Sequence, residues 1–194
     1  RGREHVRDGG VGEQVVEWIA DTFGNPAINV GYGQTECCLP LGECTALGKS
    51  RSGSIGVPVP GHDVQIVNPD TAEPIDEPGE TGEIAVRYDD DPLCFKEYWR
   101  KPEKTEKKVQ NGWLLTEDLG RRDEDGYFYF VSRKDDVIIS SGYRMGPEEI
   151  ENSLAEHEAV VDAGVIGIPH ETRGQIPKAF VQLAADPEAS EELK

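Results

Sequence analysis

The nonapeptide INVGYGQTE, residues 28–36, decides how the rest of the chain is interpreted. An apolar run short enough for a buried strand is followed by two glycines that flank an aromatic residue, and then by a hydroxyl and a carboxylate. Glycine permits close approach to the backbone, the ring of Tyr32 offers a flat face to a base, and Thr35 and Glu36 offer oxygens to a phosphate-bound Mg²⁺. The stretch therefore predicts a strand over 28–30 that ends at a nucleotide-phosphate site. A strand that ends in a glycine-rich turn without a ligand is the alternative.

The charge of the chain restricts its partners. The 194 residues include 38 acidic and 20 basic side chains, which give a formal net charge of -18, and the acidic excess is spread along the chain. Such a field repels nucleic acid, so no nucleic-acid function is expected. An even acidic coat fits adaptation to high salt, where screening removes self-repulsion, and simple solubility is the alternative explanation.

Other compositional features predict a cytoplasmic protein without a membrane span. No apolar run approaches the ~20 residues that cross a bilayer, and the N-terminus has no secretory pattern. The cysteines form no C-x-x-C pair and the four histidines do not cluster with them, so neither a zinc site nor a disulfide framework is indicated. We therefore predict reduced, structural thiols at Cys37, Cys38, Cys44 and Cys94.

Hydrophobic periodicity and turn residues predict the order of the elements. Apolar spacing indicates a helix from Gly12 to Phe23, and repeated Gly, Ser and Pro indicate an irregular segment over 39–60. Alternation at 63–67 and 83–87 predicts two strands that pair in a small antiparallel sheet. Further predictions are a helix at 102–109, a hairpin joining 121–123 to 127–131, a strand at 137–140, a helix from Pro147 to about His157, and two strands within 160–183.

Five ordered motifs give the chain a family resemblance. It resembles the adenylate-forming ligases, most closely the medium-chain acyl-CoA synthetases, from about Gly12 to Leu183. The motifs are YGQTE (32–36), GEI (82–84), TED (116–118), DEDGYF (123–128) and RKDDVIISSGYR (133–144). The resemblance implies a mixed α+β fold. Residues 1–134 would form the end of a large adenylation domain with a small distorted antiparallel β-subdomain, and 135–194 a small, truncated α+β C-terminal domain.

The resemblance also implies a two-step reaction. A carboxylate, from acetate to a medium-chain or aromatic acid, would attack the α-phosphate of ATP to give acyl-AMP, and the thiol of CoA would then displace AMP. ATP, Mg²⁺ and CoA are the implied cofactors. Tyr32 would stack on adenine, Thr35 would contact phosphate and Glu36 would hold Mg²⁺.

The remaining site residues come from the same resemblance. Gly31, Gly33 and Gln34 would complete the nucleotide loop. Asp118 and Arg133 would bind the ribose. Without the resemblance, Asp118 would be interpreted as a turn residue and Arg133 as a surface charge. Asp135 would be the hinge of the C-terminal domain. Ser141, Gly142 and Tyr143 would line the pantetheine passage, and Arg144 would face phosphate or CoA. Arg173 is either a further CoA contact or a plain loop residue.

Three departures from the family pattern limit these expectations. Glu117 stands where the family usually has glycine, which puts ribose binding in doubt. The upstream phosphate loop and the downstream catalytic lysine are both missing from these residues. The chain is therefore expected to be cut at both ends and inactive alone. The alternatives are a carrier-protein-loading or aryl-CoA ligase, or a non-catalytic nucleotide-binding remnant.

Overall fold

The computed structural model describes residues 18–19, 21–24, 26–89, 91–157 and 159–184. The helix predicted at Gly12–Phe23 lies largely outside these residues, and those of it that are described, 18–19 and 21–23, are helical. The chain divides into two compact units, Arg1–Val131 and Ser132–Lys194. The division predicted from the sequence, 1–134 and 135–194, lies three residues further along.

A small three-stranded antiparallel sheet opens the first unit. Its strands are β1 (Gly31–Gln34), β2 (Cys37–Gly42) and β3 (Val57–Pro58), in that order, with a 3-10 helix at Thr45–Leu47. The strand predicted at 28–30 is wrong, because the motif residues themselves form β1. The backbone of Val30 instead exchanges bonds with Glu43, whose N–H donates to the Val30 carbonyl at 2.8 Å and whose carboxylate accepts from the Val30 N–H at 3.2 Å.

Residues 39–42, predicted as irregular, complete β2 because they pair with both β1 and β3. Tyr32 lies opposite Leu41, and Leu41 lies opposite Pro58. Long-range pairing therefore overrides the local preference of a proline-containing stretch.

A larger sheet follows in the first unit. The order is β4-β5-β7-β6, with β8 also paired to β7, and β4–β5, β5–β7 and β6–β7 are antiparallel pairs. The predicted pairing of the two alternating segments is confirmed, with Val64 opposite Val86 and Val67 opposite Glu83. The elements are β4 (Val64–Val67), β5 (Thr81–Arg87), α1 (Pro102–Lys108), β6 (Val109–Gln110), β7 (Trp113–Arg122) and β8 (Phe128–Arg133).

The central strand β5 is buried on both faces. Ile84 and Val86 belong to a core cluster with Leu114 and Phe128, whereas Ala85, between them, belongs to a second cluster. Side chains alternate along a strand, so one short segment serves both clusters. The second cluster contains Trp113, which is 3% exposed. The guanidinium of Arg87 lies 3.7 Å from the centroid of that ring.

The described residues of the second unit form a four-stranded antiparallel sheet and one helix. The sheet order is β10-β9-β12-β11, and the helix packs on β11, where Glu151 accepts from the Val165 N–H at 2.7 Å. The helix begins at Pro147 as predicted, and Glu148 and Glu149 lie in its first turn, where the helix dipole favours negative charge. The elements are β9 (Ile138–Ser140), β10 (Tyr143–Met145), α2 (Pro147–Ala155), β11 (Val160–His170) and β12 (Gly174–Leu183).

The mixed α+β class predicted from the resemblance is confirmed, including the small antiparallel sheets. β10 was not predicted, because three residues after a turn carry too little periodicity to indicate a strand. Among the residues that the structure describes, no helix is long and apolar enough to span a bilayer.

Candidate functional site

The turn between β1 and β2 carries the YGQTE motif. Gln34 lies opposite Cys37, and Thr35 and Glu36 form the turn between them. A Cβ on Gly33 would lie 2.5 Å from the backbone nitrogen of Leu39, which is closer than any side chain can approach. The glycine is therefore required by the hairpin itself. That requirement is independent of any ligand.

Asp118 on β7 joins the hairpin to the larger sheet. Tyr32 donates from its hydroxyl to Asp118 Oδ2 at 2.7 Å, and Gln34 Nε2 donates to the same oxygen at 2.9 Å and to the Thr116 carbonyl at 2.7 Å. Three predicted site residues, Tyr32, Gln34 and Asp118, thus meet although 84 and 86 positions separate the donors from the acceptor.

Burial keeps the hydroxyl of Tyr32 protonated. Asp118 is 9% exposed, and Tyr32 packs against the first core cluster. Burial, followed by the hydrogen bond to Asp118, raises the pKa of Tyr32 far above its ordinary value of 10.0. The Tyr32 hydroxyl is therefore a permanent donor. Two donors on Oδ2 hold the Asp118 carboxylate in one orientation.

Glu36 has a partner that the sequence did not suggest. The hydroxyl of Tyr98 donates to Glu36 Oε1 at 2.6 Å. Burial and this hydrogen bond raise the pKa of Tyr98 to about 12. Tyr98 lies 62 positions away in an irregular segment before α1, where no periodicity or motif marks it. Thr35 is exposed at the same turn.

The role of Glu36 as a magnesium ligand is a proposal that depends on where the other ligands of the cation come from. Within the described ranges, no group of three or more His, Cys, Asp and Glu side chains is placed to hold a metal ion. A Mg²⁺ ion at Glu36 would therefore take its other oxygen ligands from phosphate and water, which is the usual arrangement for this cation.

Glu117, which departs from the family pattern, has a strained backbone and a side chain that contacts Lys108. Glu117 has a φ of 67°, which confirms that the backbone at this position favours glycine. Its carboxylate lies 3.4 Å from Lys108 Nζ, and its N–H donates to Glu83 Oε1 at 2.8 Å. Lys108 is 7% exposed and also donates to the Thr116 carbonyl at 3.3 Å. Lys108 was missed, because an isolated charged residue on a helix reads as a surface position. Glu83 belongs to the GEI motif, but the motif did not indicate its bond to the Glu117 backbone.

The residues predicted for CoA and for the hinge all lie in the second unit. Arg133 contacts Asp135 through Nε at 3.1 Å and Nη2 at 3.4 Å, and Asp135 occupies the turn that follows β8. Ser141 and Gly142 form the turn between β9 and β10, with φ of 51° and 86°. No atom lies within 4 Å of a Cβ built on Gly142, so the space beside it is open.

Two further predicted residues lie next to that turn. The Ser141 N–H donates to the Arg173 carbonyl at 2.9 Å, which brings two predicted CoA residues together. Tyr143, with 76% of its surface exposed, and Arg144 follow on β10. Tyr143, Arg144 and Arg173 are thus exposed residues that lie close to this turn along the backbone.

Comparison with known proteins matches two families to separate parts of the chain. The family described as AMP-binding enzyme matches residues 8–99, and the family described as AMP-binding enzyme C-terminal domain matches residues 149–194. Among curated relatives, an uncharacterized acyl-CoA ligase, YtcI, of Bacillus subtilis is 42% identical over 93% of this chain and 33% of its own length. Acyl-coenzyme A synthetase ACSM4 of Mus musculus is 47% identical over 80% of this chain and 27% of its own length.

Solved structures agree with these matches. ATP-bound MatB from Rhodopseudomonas palustris superimposes with a TM-score of 0.83 and 30% identity over 93% of this chain and 35% of that chain. The o-succinylbenzoate CoA synthetase MenE from Bacillus subtilis, in complex with its acyl-adenylate intermediate, gives 0.77 and 34% identity over 93% of this chain and 36% of that chain. The chain thus spans about a third of the length of the relatives it matches. The two family matches, in the same order as the motifs, show that the chain belongs to the AMP-binding enzymes, the adenylate-forming ligases that include the acyl-CoA synthetases.

Proposed function

We propose that the chain is part of an ATP-dependent acid–CoA ligase that forms acyl-AMP and then acyl-CoA. The observation that supports this function best is the meeting of Tyr32, Gln34 and Asp118, because a carboxylate held by two donors from the nucleotide motif is a suitable ribose acceptor. The relatives are about three times as long, so the reaction of the whole protein is inferred from theirs.

Asp118 has acceptor capacity left for a nucleotide. An ionised carboxylate offers about four lone-pair sites, and Tyr32 and Gln34 occupy two of them on Oδ2. Oδ1 would accept from the two ribose hydroxyls, with Arg133 as a second contact to the sugar. The anchored ring of Tyr32, between Gly31 and Gly33, would stack on adenine.

Glu36 would carry the cation on its second oxygen. Tyr98 holds Oε1, so Oε2 would bind Mg²⁺ while Thr35 contacts phosphate. When bound, Mg²⁺ neutralises charge that develops on the leaving pyrophosphate. Tyr98 would thereby orient Glu36 without touching the nucleotide.

The second half-reaction would use the second unit. Ser141, Gly142 and Tyr143 would line the passage for the pantetheine arm, with Arg144 and Arg173 facing its phosphates and Asp135 acting as the hinge. An amide bond synthetase, McbA from Marinactinospora thermotolerans, is also similar, with 31% identity and a TM-score of 0.74 over 85% of this chain and 34% of that chain. An amine is therefore the second candidate acceptor, beside the thiol of CoA.

The remaining parts of the proposal concern the acid substrate, the metabolic role, the surroundings and the partners of the protein. A role in fatty acid metabolism is supported by the name of one relative, the long-chain-fatty-acid–CoA ligase of Bacillus subtilis. A high-salt environment is supported by the net charge of -18. Acids from acetate to medium-chain or aromatic length and a cytoplasmic location are proposed from the sequence resemblance and composition alone. Nucleic acid is not expected among the partners, and no membrane span is expected.

Calorimetry with a non-hydrolysable acyl-adenylate analogue in molar KCl tests the nucleotide half of the site. We expect the parent chain to bind, and Asp118→Asn to bind at least tenfold more weakly, because hydrogen bonds to charged groups contribute about 1.5–3 kcal/mol. Asparagine keeps an oxygen for Tyr32, so the fold should survive. Asp76→Asn, at an exposed position, is the matched control and should bind like the parent.

The same titration separates the alternatives. Absence of binding by a parent chain that circular dichroism shows to be folded would favour the non-catalytic remnant. Equal affinity of Asp118→Asn and parent would contradict the ribose role. Acceptor choice is tested in the full-length protein by supplying CoA, a simple amine or a phosphopantetheinylated carrier protein with ATP and acid. Consumption of CoA alone would support the acid–CoA ligase.

A further inference from the structure

Two of the four cysteines lie opposite each other on neighbouring backbone segments. Cys37, the first residue of β2, forms an antiparallel bridge with Cys94. The Phe95 N–H donates to the Glu36 carbonyl at 2.7 Å, so the bond joins the residue after Cys94 to the residue before Cys37. This pattern identifies a non-hydrogen-bonded pair, in which opposing Cα atoms are about 4.5 Å apart and the side chains lie closest.

That spacing suits a covalent bond between the two thiols. Disulfides join Cα atoms that are about 4.4–6.8 Å apart, so neither backbone segment would have to move far. Both thiols are free in this structure.

The other two cysteines have different surroundings. Cys38 is exposed, and because strand side chains alternate it faces away from Cys37. Cys44 is half-buried and lies opposite Lys49. Neither Cys38 nor Cys44 therefore lies opposite another cysteine in the way that Cys37 lies opposite Cys94.

We propose that Cys37 and Cys94 are a dithiol that closes to an intramolecular disulfide when the chain meets a small-molecule disulfide oxidant. The thiolate of Cys94 attacks one sulfur of the oxidant, and the second sulfur leaves as a thiolate. The thiolate of Cys37 then attacks Cys94 Sγ, and the first sulfur leaves. Two protein thiols lose two electrons, one oxidant disulfide becomes two thiols, and the protons of the cysteines pass to the two leaving groups.

The order of attack follows from accessibility. Cys94 is half-buried whereas Cys37 is fully buried, so an oxidant reaches Cys94 and Cys37 resolves the mixed disulfide. Burial and the charge of Asp91 raise the pKa of Cys94 to about 11. Because the thiolate is the nucleophile, the rate should rise about tenfold per pH unit between pH 7.5 and 8.5. The bond would lie one residue from Glu36, yet its formation does not depend on the proposed nucleotide function.

Thiol counting tests the proposal. The variant C38S/C44S keeps only the proposed pair, and its substitutions lie at an exposed and a half-buried position, so it should fold like the parent. After incubation with hydroxyethyl disulfide it should lose both thiols, remain monomeric and yield a peptide pair containing Cys37 and Cys94 in a non-reducing digest. Its Tm should rise by about 5 °C or more, because the bond closes a long loop, and a reductant should reverse the shift.

The matched variant C37S/C94S keeps only Cys38 and Cys44 and should show no intramolecular bond and no rise in Tm. Retention of both thiols by C38S/C44S at pH 8.5, or its conversion to mixed disulfides or dimers alone, would overturn the proposal. So would a digest of the oxidised parent in which Cys37 or Cys94 is linked only to Cys38 or Cys44.

Discussion

Glu117 has a strained backbone, which lowers stability, and a side-chain contact to Lys108, which raises it. Two substitutions can measure these effects separately. A positive φ costs a residue with a side chain about 1–2 kcal/mol, and the contact to Lys108 offsets part of this cost. Glu117→Ala loses the contact and keeps the strain, whereas Glu117→Gly loses both.

We therefore expect Glu117→Gly to be more stable than Glu117→Ala by about 1 kcal/mol in urea unfolding. Equal stability of the two variants would mean that the φ of 67° carries no strain. In the binding experiment, tighter binding of the analogue by Glu117→Gly than by the parent would mean that this departure from the family pattern weakens ribose binding.

Tyr98 offers a second test at a single residue. Its hydroxyl donates to Glu36 Oε1, so Tyr98→Phe removes the group that orients the proposed magnesium ligand. The substitution keeps the ring, whose centroid lies 4.8 Å from that of the tilted Phe95 ring. We expect the affinity for Mg²⁺-ATP to fall about three- to tenfold, because a hydrogen bond contributes about 1 kcal/mol.

Binding of metal-free ATP should change much less, since Glu36 acts through the cation. The variant Tyr88→Phe is the matched control, because that hydroxyl donates to the carbonyl of Lys96 and not to Glu36. Equal losses with and without Mg²⁺ would assign Tyr98 a structural role only.

The sequence identified site residues that belong to motifs, and it did not identify Tyr98 and Lys108, whose contacts depend on the folded structure. Tyr32, Gln34 and Asp118 stand in ordered motifs, so the resemblance assigned all three to the nucleotide site, but it did not predict the hydrogen bonds of Tyr32 and Gln34 to Asp118. Tyr98 acts on Glu36, 62 positions away, and Lys108 acts on Thr116 and Glu117 across the turn into β7, and no local pattern marks either contact. Glycine at position 33 was predicted from the close approach of a ligand, and the structure adds a second requirement, the close approach of Leu39.

At the scale of the elements, β5, β7 and β8 share one core. Phe128 is 1% exposed and packs with Ile84 and Leu114, whereas Leu47 in the 3-10 helix is 76% exposed. Phe128→Ala should lower the free energy of unfolding by about 3–5 kcal/mol, since it empties a packed site.

The control Leu47→Ala should change the same quantity by less than about 0.5 kcal/mol. Urea unfolding followed by circular dichroism measures both variants. A loss of less than about 1 kcal/mol for Phe128→Ala would mean that the sheet does not depend on this cluster.

Element prediction was most accurate where alternation and turn residues agreed. The β4–β5 pair lies between clear turns, and α1 begins at Pro102 as expected. The failure at 28–30 has a physical reason, because an apolar tripeptide does not specify which of its neighbours pairs with another strand. Because the hairpin turn lies at Thr35 and Glu36, residues 31–34 are the ones that pair with β2.

At the scale of the whole molecule, the net charge of -18 sets the dependence on salt. Raising KCl from 0.1 M to 1 M shortens the Debye length from about 10 Å to about 3 Å, which removes most repulsion between surface carboxylates. We expect the Tm to rise over this interval and to level off near 1 M.

A Tm that is equal at 0.1 M and 1 M KCl would favour the solubility explanation over adaptation to high salt. A rise that continues unchanged beyond 2 M would point to exclusion of salt from the protein surface rather than to screening. Scanning calorimetry measures all three cases.

The positions of the three tryptophans determine what intrinsic fluorescence will report. Trp18 and Trp99 are 59% and 78% exposed, whereas Trp113 is 3% exposed beneath Arg87. Unfolding should therefore shift the emission of one indole to longer wavelength while the other two already emit as solvated rings. Iodide will be repelled by the acidic surface, so its quenching at low ionic strength will understate how open the two exposed rings are, and neutral acrylamide is the quencher that reports their accessibility.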